Sequence, residues 1–344
     1  MAQSLAIKYR PRTFDDVVEQ GSIKVILTQQ LASNEWKHAY LFCGGAGTGK
    51  TTCARIFANE LNEGQGNPIE LDAASNNGVD DVREIIKQAK TKSLDSKYKV
   101  FIIDECHSIS NAGWQAFLKI IEEPPATSIF IFCTTDPQKM PKTIISRVQR
   151  HDFNKISNEG IVGRMHMVLD NEGYNDMDKV VSMESLSYIA KLAEGGMRDA
   201  LTMLDKCIAY SSDLNLKNVV AALGTVDYDL MFDLTEYLLT KDTHNAITLL
   251  DVLHLNGKDL KQFVKSYIQF LIDVNKHLLG VDWKYITLPE LDDYKMRIQN
   301  MNKMQSDPEE SILNILDIFV ALDSNIKFSA TPKYDIEAQI ILNW

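Results

Sequence analysis

The feature that most constrains the fold is a glycine-rich loop between an apolar run and a helical segment. The loop reads Gly44-Gly45-Ala46-Gly47-Thr48-Gly49-Lys50-Thr51, and the apolar residues 39–43 come directly before it. Glycines let the backbone turn tightly, so that successive N–H groups and the following helix N-terminus point at phosphates. The order of strand, loop and helix therefore predicts a P-loop that binds a nucleoside triphosphate. A plain glycine-rich turn is the alternative, and it leaves Lys50 without a purpose.

Two side chains at the end of the loop carry chemistry that glycines cannot supply. We expect Lys50 to place a positive charge on the phosphates and Thr51 to give its hydroxyl to Mg²⁺. The predicted phosphate-binding residues are Gly44, Gly45, Ala46, Gly47, Thr48, Gly49, Lys50, Thr51 and Thr52.

A second apolar run, residues 99–103, ends in the carboxylates Asp104 and Glu105. Ligands of open parallel sheets bind at the carboxyl ends of the strands, where these two side chains are predicted to lie. We expect Asp104 to hold Mg²⁺ and Glu105 to orient or deprotonate the attacking water. Acidic residues after a strand could instead cap a helix, but a complete P-loop in the same chain favours the catalytic interpretation.

Further short motifs follow in order over residues 1 to about 205. They lie at residues 9–18, 70–84, 104–107, 122–125, 134–139, 146–147 and 195–201, among them Glu122-Glu123-Pro124-Pro125 and Gly195-Gly196-Met197-Arg198-Asp199. Together they resemble the ATPase subunits of DNA polymerase clamp loaders, which are AAA+ proteins. Within that class, the chain resembles the gamma/tau subunits of bacterial DNA polymerase III.

The resemblance implies a role for each matching residue. The residues implied to pack against the adenine are Tyr9, Arg10, Pro11, Val17 and Val18. Thr134, or its neighbour Thr135, would be a sensor near the γ-phosphate. Arg147 would be an arginine finger that reaches the ATP of a neighbouring subunit, and Arg198 a second sensor within its own subunit. An ordinary surface arginine is the alternative for each. Because an arginine finger neutralises charge in the transition state, a lone subunit is expected to be a poor ATPase.

The function that the resemblance implies is loading of a sliding clamp onto primer-template DNA during replication, with ATP and Mg²⁺ as cofactors. The implied partners are other clamp-loader subunits in a pentameric ring or spiral that includes a partner subunit, the clamp, and the DNA. Two alternatives remain, an AAA+ branch-migration helicase and a protein-remodelling ATPase. A helicase would bring a winged helix after the lid, which the long helical tail does not suggest; a remodelling ATPase would bind no primer-template DNA.

The chain departs from its bacterial relatives at residues 59–68, where those relatives carry a four-cysteine zinc module. We expect no zinc, because the cysteines lack Cys-x-x-Cys spacing. We interpret them as small buried hydrophobic residues in a reducing compartment. They are Cys43, Cys53, Cys106, Cys133 and Cys207. The missing zinc module and the end of the chain at Trp344 suggest a phage-encoded subunit.

Apolar strands and amphipathic helices alternate from residue 38 to about 153. Strands are predicted at 38–43, 69–72, 99–103, 128–133 and 149–153, and helices at 49–61, 79–92, 111–122 and 141–146. We therefore expect an α/β fold with a mainly parallel sheet. The predicted domains are an AAA+ P-loop domain at 1–156, a helical lid at 157–213 and an all-α collar for oligomerisation at 214–344.

Two apolar helix faces are predicted to be buried. Trp114, Phe117, Leu118 and Ile121 recur at helical spacing. In the family, outer helices of this domain contact the clamp, but packing on the sheet is the preferred interpretation. In the collar, Ile312, Ile315, Leu316, Phe319 and Val320 are predicted to share one face.

The charge distribution bears on DNA binding. The net charge of −11 argues against a simple DNA-binding protein. Basic side chains nevertheless cluster within residues 82–99, which fits contact with phosphates. Because the resemblance implies a spiral of subunits around primer-template DNA, we assign Arg83, Lys87 and Lys90 to the DNA backbone. A solvated helix face is the alternative. A second basic run, made up of Lys139, Lys142, Arg147 and Arg150, contains no acid between its ends.

The chain shows no membrane or secretion signal. No apolar run reaches the length of a membrane span, and the first eight residues lack the apolar region of a signal peptide. We expect a cytoplasmic protein, in a bacterium or in a phage-infected host cell.

Overall fold

A parallel sheet organises the first part of the molecule. The computed structural model describes residues 3–93, 95–174, 181–224, 228–304 and 308–344, which divide into two compact units. The first unit covers 1–179 and 189–206, and the second covers 180–188 and 207–344. The five described strands are β1 Ala39–Gly44, β2 Ile69–Asp72, β3 Lys99–Asp104, β4 Ser128–Thr134 and β5 Gln149–Phe153.

The strand order is β2-β3-β4-β1-β5, and all neighbouring strands run parallel. Cys43 near the end of β1 pairs with Thr134 at the end of β4. Asp72 at the end of β2 pairs with Asp104 at the end of β3. The loops that follow β1, β3 and β4 therefore leave the sheet at one edge. This edge is where the P-loop and the predicted catalytic carboxylates meet.

Helices cover both faces of this sheet, which confirms the predicted α/β fold. The helices of the first unit are α1 Leu5–Lys8, α2 Gly21–Ser33, α3 Lys50–Leu61, α4 Val79–Ala89, α5 Asn111–Glu122, α6 Lys142–Ile145 and α7 Asn158–Asn171. Next along the chain are α8 Met183–Leu192 and α9 Met197–Tyr210, each of which has residues in both units. Helices α2 and α3 pack on one face of the sheet, and α4 and α5 on the other. Strands β1, β3 and β4 are buried on both faces and have continuous apolar sequences, which made them recognisable.

Helix α5 is a core element of this unit. Trp114 and Phe117 are 2% and 0% exposed, and both rings lie 5.4 Å from the ring of Phe132 on β4. Packing on the sheet is confirmed, and the alternative of clamp contact through these two side chains is wrong. All five cysteines are also buried, as expected.

Helix α4 ends at Ala89, three residues before the predicted boundary. The carbonyl of Gln88 accepts hydrogen bonds from the backbone N–H of Thr91 at 3.1 Å and from Lys99 Nζ at 3.0 Å. These bonds satisfy a carbonyl that a longer helix would have paired with its own next turn. A lysine at the start of β3 therefore helps to stop the helix.

The second unit is helical, as predicted for the collar. Its helices are α10 Leu216–Leu223, α11 Tyr228–Leu239, α12 Thr243–Leu255, α13 Leu260–Leu278, α14 Asp292–Met304, α15 Pro308–Ile326 and α16 Pro332–Asn343. Ile312, Ile315 and Phe319 are buried on α15, but Val320 is 46% exposed. The buried stripe continues through Leu322 instead, because a helix repeats every 3.6 residues and position 320 has rotated away from the core.

A buried carboxylate fixes one loop of this second unit. Asp273 on α13 is 2% exposed, and its Oδ2 accepts the backbone N–H groups of Thr287 and Leu288 at 2.9 and 3.0 Å. Burial raises the pKa of Asp273. None of the helices in the described ranges is both long and apolar enough to cross a membrane. The predicted three-domain division stays a prediction.

Candidate functional site

The glycine-rich loop joins the end of β1 to the start of α3, as a P-loop requires. Gly47 and Gly49 have φ values of +68° and +103°, a region that side chains other than glycine rarely adopt. Lys50 is buried, and its Nζ donates to the carbonyls of Gly44 at 2.9 Å and Gly45 at 2.7 Å. The ammonium group therefore lies within the curve of the loop.

The two predicted magnesium ligands are hydrogen-bonded to each other. Thr51 Oγ1, in the first turn of α3, donates to Asp104 Oδ2 at 2.7 Å. The other carboxylate oxygen of Asp104 accepts the backbone N–H of Glu105 at 3.0 Å, which fixes its orientation. Mg²⁺ takes oxygen ligands and usually binds one or two carboxylates together with water and phosphate. The pair fits that ion. Within the described ranges, no cluster of three or more His, Cys, Asp or Glu side chains could hold a metal.

Glu105 follows Asp104 in a strained backbone conformation, with φ at +45°. Its Oε2 accepts a hydrogen bond from Thr135 Oγ1 at 2.9 Å and lies 3.3 Å from His107 Nδ1. The same nitrogen of His107 lies 3.0 Å from Thr134 Oγ1, which also accepts the backbone N–H of Asp136. Thr134 has no exposed surface, whereas Thr135 is exposed. The structure thus gathers the predicted base and both candidate sensor residues around one histidine.

One pocket of the first unit joins the P-loop to the segment expected at the adenine. All five predicted adenine residues line it, together with residues 47–52 of the loop and helix. Gly44, Gly45 and Ala46 do not line it. The remaining lining residues are Ala6, Ile156, Arg164, Met197, Arg198 and Leu201.

Arg164 is a pocket residue that sequence reasoning missed. Its Nη2 donates to the carbonyl of Tyr9 at 2.8 Å, and burial lowers the pKa of its guanidinium. Tyr9 in turn donates through Oη to Glu172 Oε1 at 2.6 Å. The backbone of the N-terminal segment is therefore bound to α7, and the Tyr9 ring to the residue that follows α7. No sequence motif marked Arg164, because its role depends on a contact 155 residues away.

The P-loop also touches the start of α9 through backbone alone. The N–H of Met197 donates to the carbonyl of Gly47 at 3.0 Å. A Cβ on Gly47 would lie 3.0 Å from Gly196 Cα, and one on Gly196 would lie 3.1 Å from the carbonyl oxygen of Ala46. This Gly47–Gly196 contact sets Arg198 beside the P-loop in the pocket.

Arg147 lies away from this pocket. It follows α6, and its Nε donates to Glu122 Oε1 at 2.7 Å while Nη1 donates to the carbonyl of Thr143 at 2.8 Å. Its side chain is 39% exposed. The structure therefore does not bring Arg147 to the nucleotide pocket of its own chain.

In both basic runs, acidic side chains lie closer to the basic ones than the sequence alone suggests. Arg83, Lys87 and Lys90 are exposed on and just beyond α4, although Arg83 pairs with Asp80 at 2.9 Å and Lys87 lies 3.8 Å from Glu84. In the second run, ion pairs neutralise much of the charge. They are Lys139 with Asp136, Arg147 with Glu122 and Arg150 with Asp152.

The strand order, the P-loop after β1, the carboxylates after β3 and the helices that follow β5 define an AAA+ ATPase fold. The RuvB Holliday junction branch migration motor of Thermotoga maritima has this fold. It matches with a TM-score of 0.52 and 18% identity, over 67% of this chain and 79% of RuvB. At that identity the likeness shows the fold alone.

The family follows from sequence comparison. A family model described as "DNA polymerase III clamp loader subunit, ATPase lid domain" matches residues 160–213, and one described as "DNA polymerase III, delta subunit" matches residues 67–157. The chain is 31% identical to DNA polymerase III subunit gamma of Buchnera aphidicola subsp. Acyrthosiphon pisum, over 98% of each chain. It therefore belongs to the gamma/tau family of DNA polymerase III clamp-loader subunits.

Other members of this family are longer than the chain. It is 36% identical to the tau subunit of Bacillus subtilis over 98% of its own length and 62% of that protein. It is 33% identical to gamma/tau of Mycobacterium tuberculosis, covering 78% of this chain and 50% of that one. The chain thus spans between half and two thirds of these two relatives.

Proposed function

We propose that this chain is the ATPase subunit of a clamp loader, which opens a sliding clamp and leaves it closed on primer-template DNA during replication. One observation carries the proposal. A single pocket joins the P-loop, the 9–18 segment and Arg198, beside a carboxylate edge, in a chain of the gamma/tau family.

ATP hydrolysis would use residues of the pocket together with residues of the carboxylate edge beside it. Lys50 binds the phosphates from its position within the loop, and Arg198 contacts the γ-phosphate from α9. Thr51 and Asp104 would hold Mg²⁺, which would neutralise phosphate charge. Glu105 accepts a proton from the attacking water or orients it, and Thr134 is the proposed sensor behind it. Residues 9–18 hold the adenine, because they line the same pocket as the loop.

Arg147 completes the site of a neighbouring subunit. Support comes from its distance from its own pocket and from its partial exposure beside Glu122. Each active site is then incomplete in a lone chain. The proposed assembly is a ring or spiral with other clamp-loader subunits, a pentamer that includes a partner subunit, joined through the helical region 214–344.

Arg83, Lys87 and Lys90 are the proposed DNA contacts. Their side chains are exposed, and spacings of four and three residues put Arg83 and Lys87 on one side of α4 with Lys90 at its C-cap. Replacing Lys87 and Lys90 together by Glu should lower DNA-stimulated turnover and leave basal turnover unchanged. Lys37→Glu, an exposed change elsewhere in the same unit, is the control. Unchanged stimulation in the double variant would remove this surface from the proposal.

The same proposal includes a segment at residues 59–68 that binds no zinc. It also includes a cytoplasmic site of action, in a bacterium or a phage-infected cell. A phage origin stays a prediction.

The deciding experiment is steady-state ATP hydrolysis by the chain alone and assembled with a partner subunit and clamp, with and without primer-template DNA. We expect strong stimulation by clamp and DNA, and an arginine finger accounts for about 10³- to 10⁵-fold of turnover. Arg147→Ala should abolish the stimulation, whereas Lys37→Ala, which removes another exposed positive charge, should keep it. Brisk hydrolysis by the chain alone, indifferent to clamp and DNA, would instead favour a protein-remodelling ATPase.

A further inference from the structure

His107 lies between the proposed base and the proposed sensor, and neither the motif nor the family match gives it a role. It sits in the short turn Cys106–Ser108, directly after Glu105 and Cys106. Its side chain is 18% exposed. One atom, Nδ1, lies 3.0 Å from Thr134 Oγ1 and 3.3 Å from Glu105 Oε2. The ring is therefore held between two oxygen atoms that come from different strand ends.

The chemistry of these oxygens decides where the ring carries its hydrogen. An ionised carboxylate can only accept hydrogen bonds, so a bare lone pair on Nδ1 would repel Glu105 Oε2. A hydrogen on Nδ1 is donated to Thr134 Oγ1 and places positive charge near Glu105 Oε2, which attracts that oxygen. The neutral tautomer with hydrogen on Nδ1 is therefore the one that this site stabilises, as a neighbouring acceptor commonly does for histidine.

The consequence falls on the carboxylate of Glu105. His107 Nδ1 and Thr135 Oγ1 both approach Oε2, and the described hydrogen bonds include none to Oε1. The hydrogen bond from Thr135 and the electrostatic attraction of an Nδ1–H group 3.3 Å away together restrict the rotation of the carboxylate plane. Oε1 is then the carboxylate oxygen that remains available to accept a proton. Thr134, which is fully buried and accepts the N–H of Asp136, anchors the ring from behind.

We propose that His107 is a positioning residue for ATP hydrolysis: with hydrogen on Nδ1 and anchored on Thr134, it holds Oε2 of Glu105 so that Oε1 takes the proton of the attacking water. Thr135 donates the hydrogen bond to Oε2 in this arrangement. The inference rests on the proposed role of Glu105 as the base. It assigns to the histidine after the Asp-Glu pair a task that is separate from binding ATP.

The first test is spectroscopic and needs no turnover. Correlation spectra of the chain labelled with ¹⁵N-histidine distinguish the two neutral tautomers, and His107→Asn assigns the signal by removing one of the seven histidines. We expect hydrogen on Nδ1 in the wild-type chain. Hydrogen on Nε2 would overturn the proposal, because Nδ1 would then present a lone pair to Glu105 Oε2 and repel it.

The second test separates a donor from a space-filling ring. His107→Asn keeps an N–H donor close to the place of Nδ1, whereas His107→Leu keeps bulk and removes the donor. In the assembled, DNA-stimulated enzyme, we expect His107→Leu to lower kcat about 10- to 100-fold, the cost of a misplaced catalytic group. His107→Asn should restore most of it. Binding of a non-hydrolysable ATP analogue should be unchanged in both variants.

Two outcomes would overturn the inference. One is a His107→Leu variant as active as the wild type, and the other is an equal loss in the Asn and Leu variants, which would indicate packing. Glu105→Gln distinguishes this failure from failure of the proposed function. If Glu105→Gln abolishes turnover while His107→Leu does not, only the positioning role is lost. If Glu105→Gln turns over normally, the proposed base is wrong as well.

Discussion

The Gly47–Gly196 contact allows a quantitative test of how the P-loop is held against α9. Gly47→Ala introduces two separate costs. Alanine at a φ of +68° costs roughly 1–2 kcal/mol. The added Cβ also lies 3.0 Å from Gly196 Cα and 3.2 Å from its carbonyl carbon. Both are backbone atoms that cannot rotate aside, and overpacking of this kind costs about 1–3 kcal/mol.

These two costs should appear in different measurements. The backbone cost is the same with and without nucleotide, so it lowers stability and cancels from affinity. The collision is relieved only if the P-loop moves away from α9. We expect ATP to bind the arrangement in which Gly47 contacts Gly196, so the cost of the collision should appear in the affinity. We therefore expect the Kd for ATP to rise by about 5- to 150-fold, since each 1.4 kcal/mol corresponds to a factor of ten.

Gly64→Ala is the matched control. Gly64 has a φ of +79°, but its Cβ would meet nothing within 4 Å. Its substitution should lower the melting temperature through the same backbone cost and leave the Kd unchanged. Fluorescence titration with an ATP analogue, together with thermal unfolding of all three proteins, checks both quantities. Wild-type affinity in Gly47→Ala, or an equal loss of affinity in Gly64→Ala, would refute the reasoning.

Three further predictions concern stability. His151 is buried beside Tyr40 and Phe42, and burial lowers its pKa below the ordinary value for histidine, about 6.5. Just below that pH the unfolded chain therefore binds more protons than the folded one, and stability should decrease as the pH falls through this range. His151→Phe should flatten this part of the dependence, as measured by urea unfolding at about pH 7.5 and about pH 5.5, on either side of the ordinary value; an unchanged slope would contradict it. Asp273→Ala leaves the N–H groups of Thr287 and Leu288 without their acceptor, at roughly 1–3 kcal/mol each. A melting temperature unchanged from wild type would argue against that anchor. Phe117→Ala should cost about 3–5 kcal/mol in urea unfolding, whereas the exposed Gln115→Ala on the same helix should stay within about 0.5 kcal/mol.

Local sequence was sufficient where burial and turn chemistry act within a few residues. Strands β1, β3 and β4 were predictable because each is a short apolar run buried on both faces, and the P-loop because its glycines and lysine act within eight positions. Strands β2 and β5 are partly exposed and contain polar residues. The pair of Thr51 and Asp104 also followed, because the carboxyl ends of parallel strands share one edge.

Contacts that depend on tertiary distance were not predictable in this way. Arg147 has no acidic neighbour in sequence, yet Glu122 on another helix neutralises it. The link from Met197 to Gly47 joins positions 150 residues apart through backbone atoms, which leave no side-chain pattern to read. His107 belongs to the motif at residues 104–107, but only the arrangement of the ends of β3 and β4 shows which oxygen atoms lie near it.

The burial of every native thiol makes this chain well suited to site-specific labelling. Burial raises the pKa of Cys53 to about 12 and raises the pKa values of Cys43, Cys106 and Cys133. The thiolate is the form that reacts with maleimides, so these side chains stay inert in the folded protein. A single cysteine introduced at an exposed position such as Ser22 would then carry the dye alone. Distances between labelled subunits of the proposed assembly could then be followed without first replacing any native cysteine.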